Sequence, residues 1–265
     1  MKPTTVCSFL LALVLATTST IAQPTKSTGS NPPLFLLAGD STTATQSSNG
    51  GGWGDGFLNT TLHHGASGIN YGVNGRTTVS YRAGGYWATV LASVAASLET
   101  STTPYVTIQF GHNDQKASAN ISIVEYTTNL EQFVADVRTA GGTPILVTPL
   151  SRRGYENSTG TPKVVEDLAD QRAATIAAAE ATGSTWIDLN EASTQYLNAI
   201  GEADAWTYNL NPTDETHLNV EGSVVFGGLV ALLIEGALSE LKAEGYVRVK
   251  KELEKALEEG KYYWP

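Results

Sequence analysis

Thiols, histidines and positive charge are all scarce in this chain. Its 265 residues include one cysteine, four histidines, and 16 lysines and arginines against 26 aspartates and glutamates. The lone cysteine, Cys7, lies just before the first apolar stretch. A chain cut behind that stretch therefore has no thiol, no disulfide and no thiolate metal site. A net charge of −10 and a pI near 4.8 create a field that repels polyanions, which argues against nucleic acid and anionic membranes as partners. No Gly-x-Ser-x-Gly is present, so the nucleophile elbow of the α/β-hydrolases is disfavoured. Neither Gly-x-Gly-x-x-Gly nor a phosphate loop occurs, and His-Glu-x-x-His is missing, which argues against nucleotides and zinc-protease chemistry. No internal repeat is visible.

Apolar residues make up 41% and charged residues 16%, the balance of a globular chain with one sizeable core and, by length, one domain. Residues 1–22 have the form of a secretory signal: Lys2, then the apolar run Phe9 to Ala16, then the small-residue site Thr20-Ile21-Ala22. That run is too short to span a bilayer. The expectation is a secreted, extracellular protein with no membrane segment in its mature form. Cleavage after Ala22 would remove Lys2 and leave the chain one charge more acidic. Asn-x-Ser/Thr triplets at Asn59, Asn120 and Asn157 fit a glycosylated secreted protein.

Residues 23–33 are a polar, proline-rich lead-in. Beyond them, apolar runs that read as strands (beginning at Leu34, and over Ile69 to Val73, Tyr105 to Phe110, Pro144 to Thr148 and Thr185 to Leu189) alternate with helical patterns. The helices are expected near Trp53 to Leu62, and over Tyr86 to Leu98, Val124 to Thr139, Val164 to Ala181 and Ser223 to Lys242. Such alternation predicts an α/β fold of three α/β/α layers around a central parallel sheet of about five strands. The main domain is expected over 34–243. In the tail, 244–265, Val249, Leu253 and Leu257 recur at four-residue intervals. That spacing predicts an amphipathic helix, expected to pack on the domain, with dimerisation as the alternative; the protein is expected to be a monomer.

The first strand stops abruptly at Gly39-Asp40-Ser41. Ligands in open α/β sheets bind outside the carboxyl ends of strands, so the Ser41 hydroxyl is placed for chemistry if a base can reach it. Of the histidines at 63, 64, 112 and 217, only His217 has a carboxylate three residues earlier, in Asp214-Glu215-Thr216-His217. Asp214 has the offset that lets one loop turn present both groups; Glu215 is expected in solvent. Two further strand ends carry Asn74-Gly75-Arg76-Thr77 and Gly111-His112-Asn113-Asp114. Backbone N–H groups beside glycine and an asparagine amide are the donors that an oxyanion hole needs. Asp40 is expected to fix its turn and His112 to be structural. His63 and His64, if on a helix, diverge by about 100°, and no third ligand is near.

These four blocks, in this order, resemble the SGNH, or GDSL-type, hydrolases over roughly residues 34–240, with a flavodoxin-like sheet. Ala38-Gly39-Asp40-Ser41-Thr42, Asn74-Gly75-Arg76-Thr77 and Phe110-Gly111-His112-Asn113-Asp114 are most similar to fungal rhamnogalacturonan acetylesterases. The resemblance implies that Ser41 is the nucleophile, His217 the base and Asp214 its partner. It also implies that the Ser41 N–H, the Gly75 N–H and the Asn113 amide hold the oxyanion, with no cofactor or metal. The chain departs from some secreted relatives in lacking cysteines, and from the family core in its longer tail. The expected activity is removal of O-acetyl groups from plant cell-wall polysaccharide, first of all acetylated rhamnogalacturonan. The alternatives are an acetylxylan esterase, a broad GDSL-type lipase and a non-catalytic sugar-binding protein. Trp53, Trp206 and Tyr208 are expected to stack sugars. Arg76, with Arg82, Arg152 and Arg153, is expected to meet an acidic substrate near the cleft.

Overall fold

Phe35, Leu36, Leu37 and Ala38 are consecutive and all 0% exposed. Because successive side chains of a strand point to opposite faces, such a run needs cover on both sides, as at the centre of a parallel sheet between two helical layers. The computed structural model, which describes residues 31–100 and 102–265, places it there. The expected signal segment and most of the lead-in lie outside the described residues.

In chain order, β1 (Pro33–Gly39) leads to α1 (Gly54–Thr60) and β2 (Ser67–Asn70). Next come α2 (Thr78–Ala83), α3 (Tyr86–Leu98), β3 (Thr103–Gln109), α4 (Ile123–Thr139) and β4 (Thr143–Val147). A short hairpin of β5 (Tyr155–Glu156) and β6 (Lys163–Val164) precedes α5 (Ala169–Thr182) and β7 (Thr185–Ile187). The chain then runs through α6 (Leu189–Ile200), α7 (Glu202–Trp206), α8 (Val220–Ala237), α9 (Ser239–Ala243) and α10 (Lys251–Glu258). Five strands form a parallel sheet in the order β2-β1-β3-β4-β7. On one face, Phe35, Leu37, Ile145, Val147 and Ile187 pack with Phe57 of α1, Leu197 of α6, and Phe226 and Val230 of α8. On the other, Leu36, Ala38, Val106 and Ile108 meet Trp87 and Val90 of α3, Phe133 of α4 and Ala178 of α5.

Helix α8 is apolar and long enough to cross a membrane by length and composition alone, yet most of it is buried against this core. It crosses α1 closely: a Cβ on Gly56 would lie 1.8 Å from the Ser223 carbonyl oxygen, and one on Gly227 would lie 2.2 Å from the Phe57 nitrogen. Its amino end is capped by Asn219, whose Oδ1 accepts from the Gly222 N–H at 2.8 Å, and Leu238 separates it from α9. One continuous helix over 223–242 is thus replaced by two. The helix expected from Val164 starts only at Ala169, because Val164 pairs with Tyr155 in the hairpin. Strand β2 ends earlier than expected, although Tyr71 and Val73 still donate to Leu37 and Gly39. Helices α2, α6 and α7 were not expected. The tail packs on the domain through α10, whose Leu253 is buried against Gly228 of α8.

Candidate active site

The sheet register aligns three loop exits. Gly39 pairs with Gln109, and the Val73 N–H donates to Gly39 O at 3.0 Å. The segments carrying Ser41, Gly75 and Asn113 therefore leave the carboxyl edge side by side. The turn after β1 is held by its own residues: Asp40 O accepts from Thr43 N and Ala44 N, while Asp40 Oδ1 accepts from Thr42 N at 2.9 Å and Thr42 Oγ1 at 2.8 Å. Gln109 Nε2 donates to Thr42 Oγ1 at 2.5 Å, and Gln109 Oε1 accepts from Trp53 Nε1.

His217 lies on the loop between α7 and α8. Its Nε2 is 2.8 Å from Ser41 Oγ, and its Nδ1 is 2.8 Å from Asp214 Oδ2. The other oxygen of Asp214 accepts the main-chain N–H groups of His217 and Thr216 at 2.9 and 3.0 Å. Burial alone would raise the Asp214 pKa. The His217 N–H, the His217 ring and the Thr216 N–H outweigh burial and hold the carboxyl below its ordinary value. Glu215 is exposed and outside this chain of contacts. A hydroxyl, an imidazole and a carboxylate so linked can pass a proton from the hydroxyl to the ring while the carboxylate fixes the ring's tautomer.

The loops of the two expected donors leave the sheet next to the Ser41 turn. Gly75 has φ +75°, a left-handed conformation suited to glycine. Asn113 is buried; its Nδ2 donates to Arg76 O at 3.1 Å and its Oδ1 accepts from Lys116 Nζ at 2.7 Å. This ties the Asn113 loop to the Gly75 loop and orients the amide.

Beneath the site, Asp40 and His112 are buried, with His112 Nδ1 3.8 Å from Asp40 Oδ2 and neither atom otherwise partnered among the described residues. Burial, against the Thr42 bonds and with help from Asp114, pushes Asp40 up to about 6. Burial, together with the charge of Arg152, holds His112 well below its ordinary value, so its ring is neutral. Among the described residues, no three His, Cys, Asp or Glu side chains are grouped to hold a metal ion. His63 and His64 lie in a turn, not on a helix, and His64 Nδ1 meets Glu244 O at 3.0 Å.

Several of the expected substrate contacts are corrected. Trp53 is 0% exposed, packed on Phe57 beneath the sheet edge. Tyr208 is also 0% exposed, its ring against Phe226 and its hydroxyl on Tyr263 O. Neither can stack a sugar. Arg153 is 0% exposed, Arg82 is paired with Asp136 and Arg152 with Asp167. Trp206 remains 44% exposed and walls a groove with Asn211 and Pro212, next to the His217 loop. Arg76 stays beside Gly75, its guanidinium 5.2 Å from the centre of the Tyr86 ring. Gln109 and Lys116, which hold the nucleophile turn and the Asn113 amide, were not foreseen. The only local signal was the three-residue spacing of Lys116 from Asn113.

Comparison with known proteins gives a consistent picture. Residues 37–225 match the GDSL-like lipase/acylhydrolase family. The chain is 31% identical over 206 residues to the probable rhamnogalacturonan acetylesterase YesY of Bacillus subtilis (strain 168), covering 74% of this chain and 90% of that one. Among solved structures, the Bacillus subtilis protein YXIM superposes with a TM-score of 0.65 at 24% identity over 81% of this chain, which spans 57% of that one. The acetylxylan esterase Axe2 of Geobacillus stearothermophilus gives a TM-score of 0.54 at 19% identity, covering 84% of this chain and 98% of the other. These two likenesses establish a common fold.

Proposed function

The chain belongs to the GDSL-like lipase/acylhydrolase family of carboxylic ester hydrolases, and on that premise we propose a secreted serine esterase that removes O-acetyl groups from a plant cell-wall polysaccharide. The observation that carries the mechanism is the unbroken relay from Asp214 through His217 to Ser41, with 2.8 Å at each step. Ser41 Oγ attacks the acetyl carbonyl as His217 Nε2 takes its proton. The Ser41 N–H, the Gly75 N–H and the Asn113 amide hold the oxyanion. His217 then returns the proton to the departing sugar hydroxyl, leaving an acetyl-enzyme that water, activated by the same imidazole, hydrolyses to acetate.

Acetylated rhamnogalacturonan is the first candidate substrate. The likeness to YesY supports it, as does Arg76, a cation beside the donor loop able to meet a uronate carboxylate. Acetylxylan is the second reading, favoured by the net charge of −10, which suits a neutral polymer better than an acidic one. Acetate release from purified acetylated rhamnogalacturonan and from acetylxylan separates the two. Faster hydrolysis of long-chain p-nitrophenyl esters than of the acetate would move the enzyme to the lipase class. Secretion is supported by residues 1–22 and by the exposure of Asn59, Asn120 and Asn157. Amino-terminal sequencing and a glycosidase mobility shift of the exported protein test it.

A further inference from the structure

Arg153 was expected to face substrate, but it is fully buried behind the His217 loop. Its Nε donates to Asn209 Oδ1 at 2.5 Å and its Nη2 to the His217 carbonyl oxygen at 2.7 Å. Its Nη1 is buried and unpartnered among the described residues. A buried cation whose direct partners are neutral is costly, and burial pulls its pKa down to about 10 against the attraction of Asp214, so it stays charged at neutral pH.

The surrounding bonds show what it holds. Arg153 N donates to Glu215 O at 2.8 Å, and Arg152 Nε donates to Thr216 Oγ1 at 3.1 Å. With the guanidinium on His217 O, residues 152 and 153 grip three consecutive loop positions. Asn209 bridges to Leu218, and the His217 carbonyl also accepts from Leu210 N at 2.9 Å. Trp206 Nε1 closes the ring of contacts on Arg153 O at 2.9 Å. Asp214 orients the imidazole from within the loop, whereas Arg153 fixes the main chain that carries it.

We propose that Arg153 is a positioning residue for the reaction: its buried guanidinium locks the His217 main chain so that Nε2 stays on Ser41 Oγ. The planar fork suits this task because one group serves two acceptors at a fixed angle, which lysine cannot do. The inference rests on the reading of Ser41 as nucleophile and His217 as base.

The test measures kcat and KM for p-nitrophenyl acetate, with thermal stability, in Arg153→Met, Arg153→Lys, Arg153→Ala and Ser41→Ala. Loosening a base by a fraction of an ångström to 1 Å is expected to lower kcat by about 10- to 100-fold in Arg153→Met, with KM within about twofold. Thermal stability confirms that each variant is folded, and a kcat loss at nearly unchanged KM in a folded variant is what a merely structural arginine would not give. Millimolar guanidinium should restore kcat in Arg153→Ala, and methylammonium should not. If Arg153→Met does not fold, Arg153→Lys, which keeps the charge but not the fork, carries the same kcat expectation. A folded Met or Lys variant with kcat within about threefold of wild type would overturn the proposal while an inactive Ser41→Ala left the mechanism standing. An active Ser41→Ala would remove both.

Discussion

Each member of the reacting pair is backed by an aspartate, and the two carboxyl groups are shifted in opposite directions. Asp40, beside Ser41, is 0% exposed; one oxygen is served by Thr42 and the other is unpartnered among the described residues. Burial dominates, and its pKa is pushed up to about 6. Asp214, beside His217, is partly exposed and has both oxygens engaged, so its carboxyl lies below its ordinary value. The nucleophile side is a buried turn at the end of a central strand, held by hydrogen bonds within the turn and to Gln109. The base side is a partly exposed loop 176 residues away, where both carboxyl oxygens meet donors. Chemistry that needs a charged group is assigned to the loop, where donors can surround it; the strand end needs only a fixed turn.

The largest effect expected from breaking this arrangement is at Ser41. Ser41→Ala should lower kcat by about 10⁶, since members of a triad act as one unit. The fold should survive, because the nucleophile turn is held by Asp40, Thr42 and Gln109. Retention of a tenth of the rate in a folded variant would dismiss Ser41 as nucleophile. Asp214→Asn keeps the size of the side chain but loses the charge and the enforced tautomer, and a kcat loss of about 10⁴ is expected. A near-normal rate would transfer the partner's role to Glu215. Asn113→Ala should reduce kcat by roughly 10²–10³ with KM nearly unchanged, as for a donor that acts when the oxyanion forms. A change confined to KM would place Asn113 in substrate binding instead.

These same contrasts explain what was legible in the sequence. The sheet and the helices that flank it follow from local patterns: β1, α3 and β4 lie close to where apolar runs and helical spacing put them. The pair His217 and Asp214 was visible because its offset is three residues within one loop. What was hidden depends on distant contacts. Trp53 reads as a loop aromatic, yet the close α1–α8 crossing and the bond to Gln109, 56 residues away, bury it. Arg153 reads as a surface cation, yet its partners Asn209 and His217 lie 56 and 64 residues on. Helix α6 begins at Asp188-Leu189-Asn190-Glu191, a capping pattern that the expected strand, run on from Thr185 to Leu189, overrode. In the structure the Asp188 side chain accepts from Glu191 N and joins Arg172 and Thr148.

The smallest and sharpest expectation concerns Asp40 itself. Below pH 3.8 the carboxyl is protonated in both the folded and unfolded chain. Between 3.8 and about 6 the unfolded chain loses the proton while the folded chain keeps it, so stability falls as pH rises through that window. Above the window the loss is complete, at most about 3 kcal/mol by the usual conversion of a pKa shift. Asparagine cannot ionise, and its Oδ1 can still accept from Thr42 while its amide faces the neutral His112 ring. Asp40→Asn should therefore match the wild type in denaturant unfolding near pH 4 and exceed it at pH 8, with kcat little changed, because the carboxylate takes no part in the proposed proton transfer. Asp214→Asn should show the opposite sign: its depressed pKa contributes stability above the ordinary carboxylate value that is lost as pH falls through the folded one. If Asp40→Asn were instead less stable than wild type at pH 8, Asp40 would be a stabilising charge like Asp214, and the contrast between strand end and loop would fail.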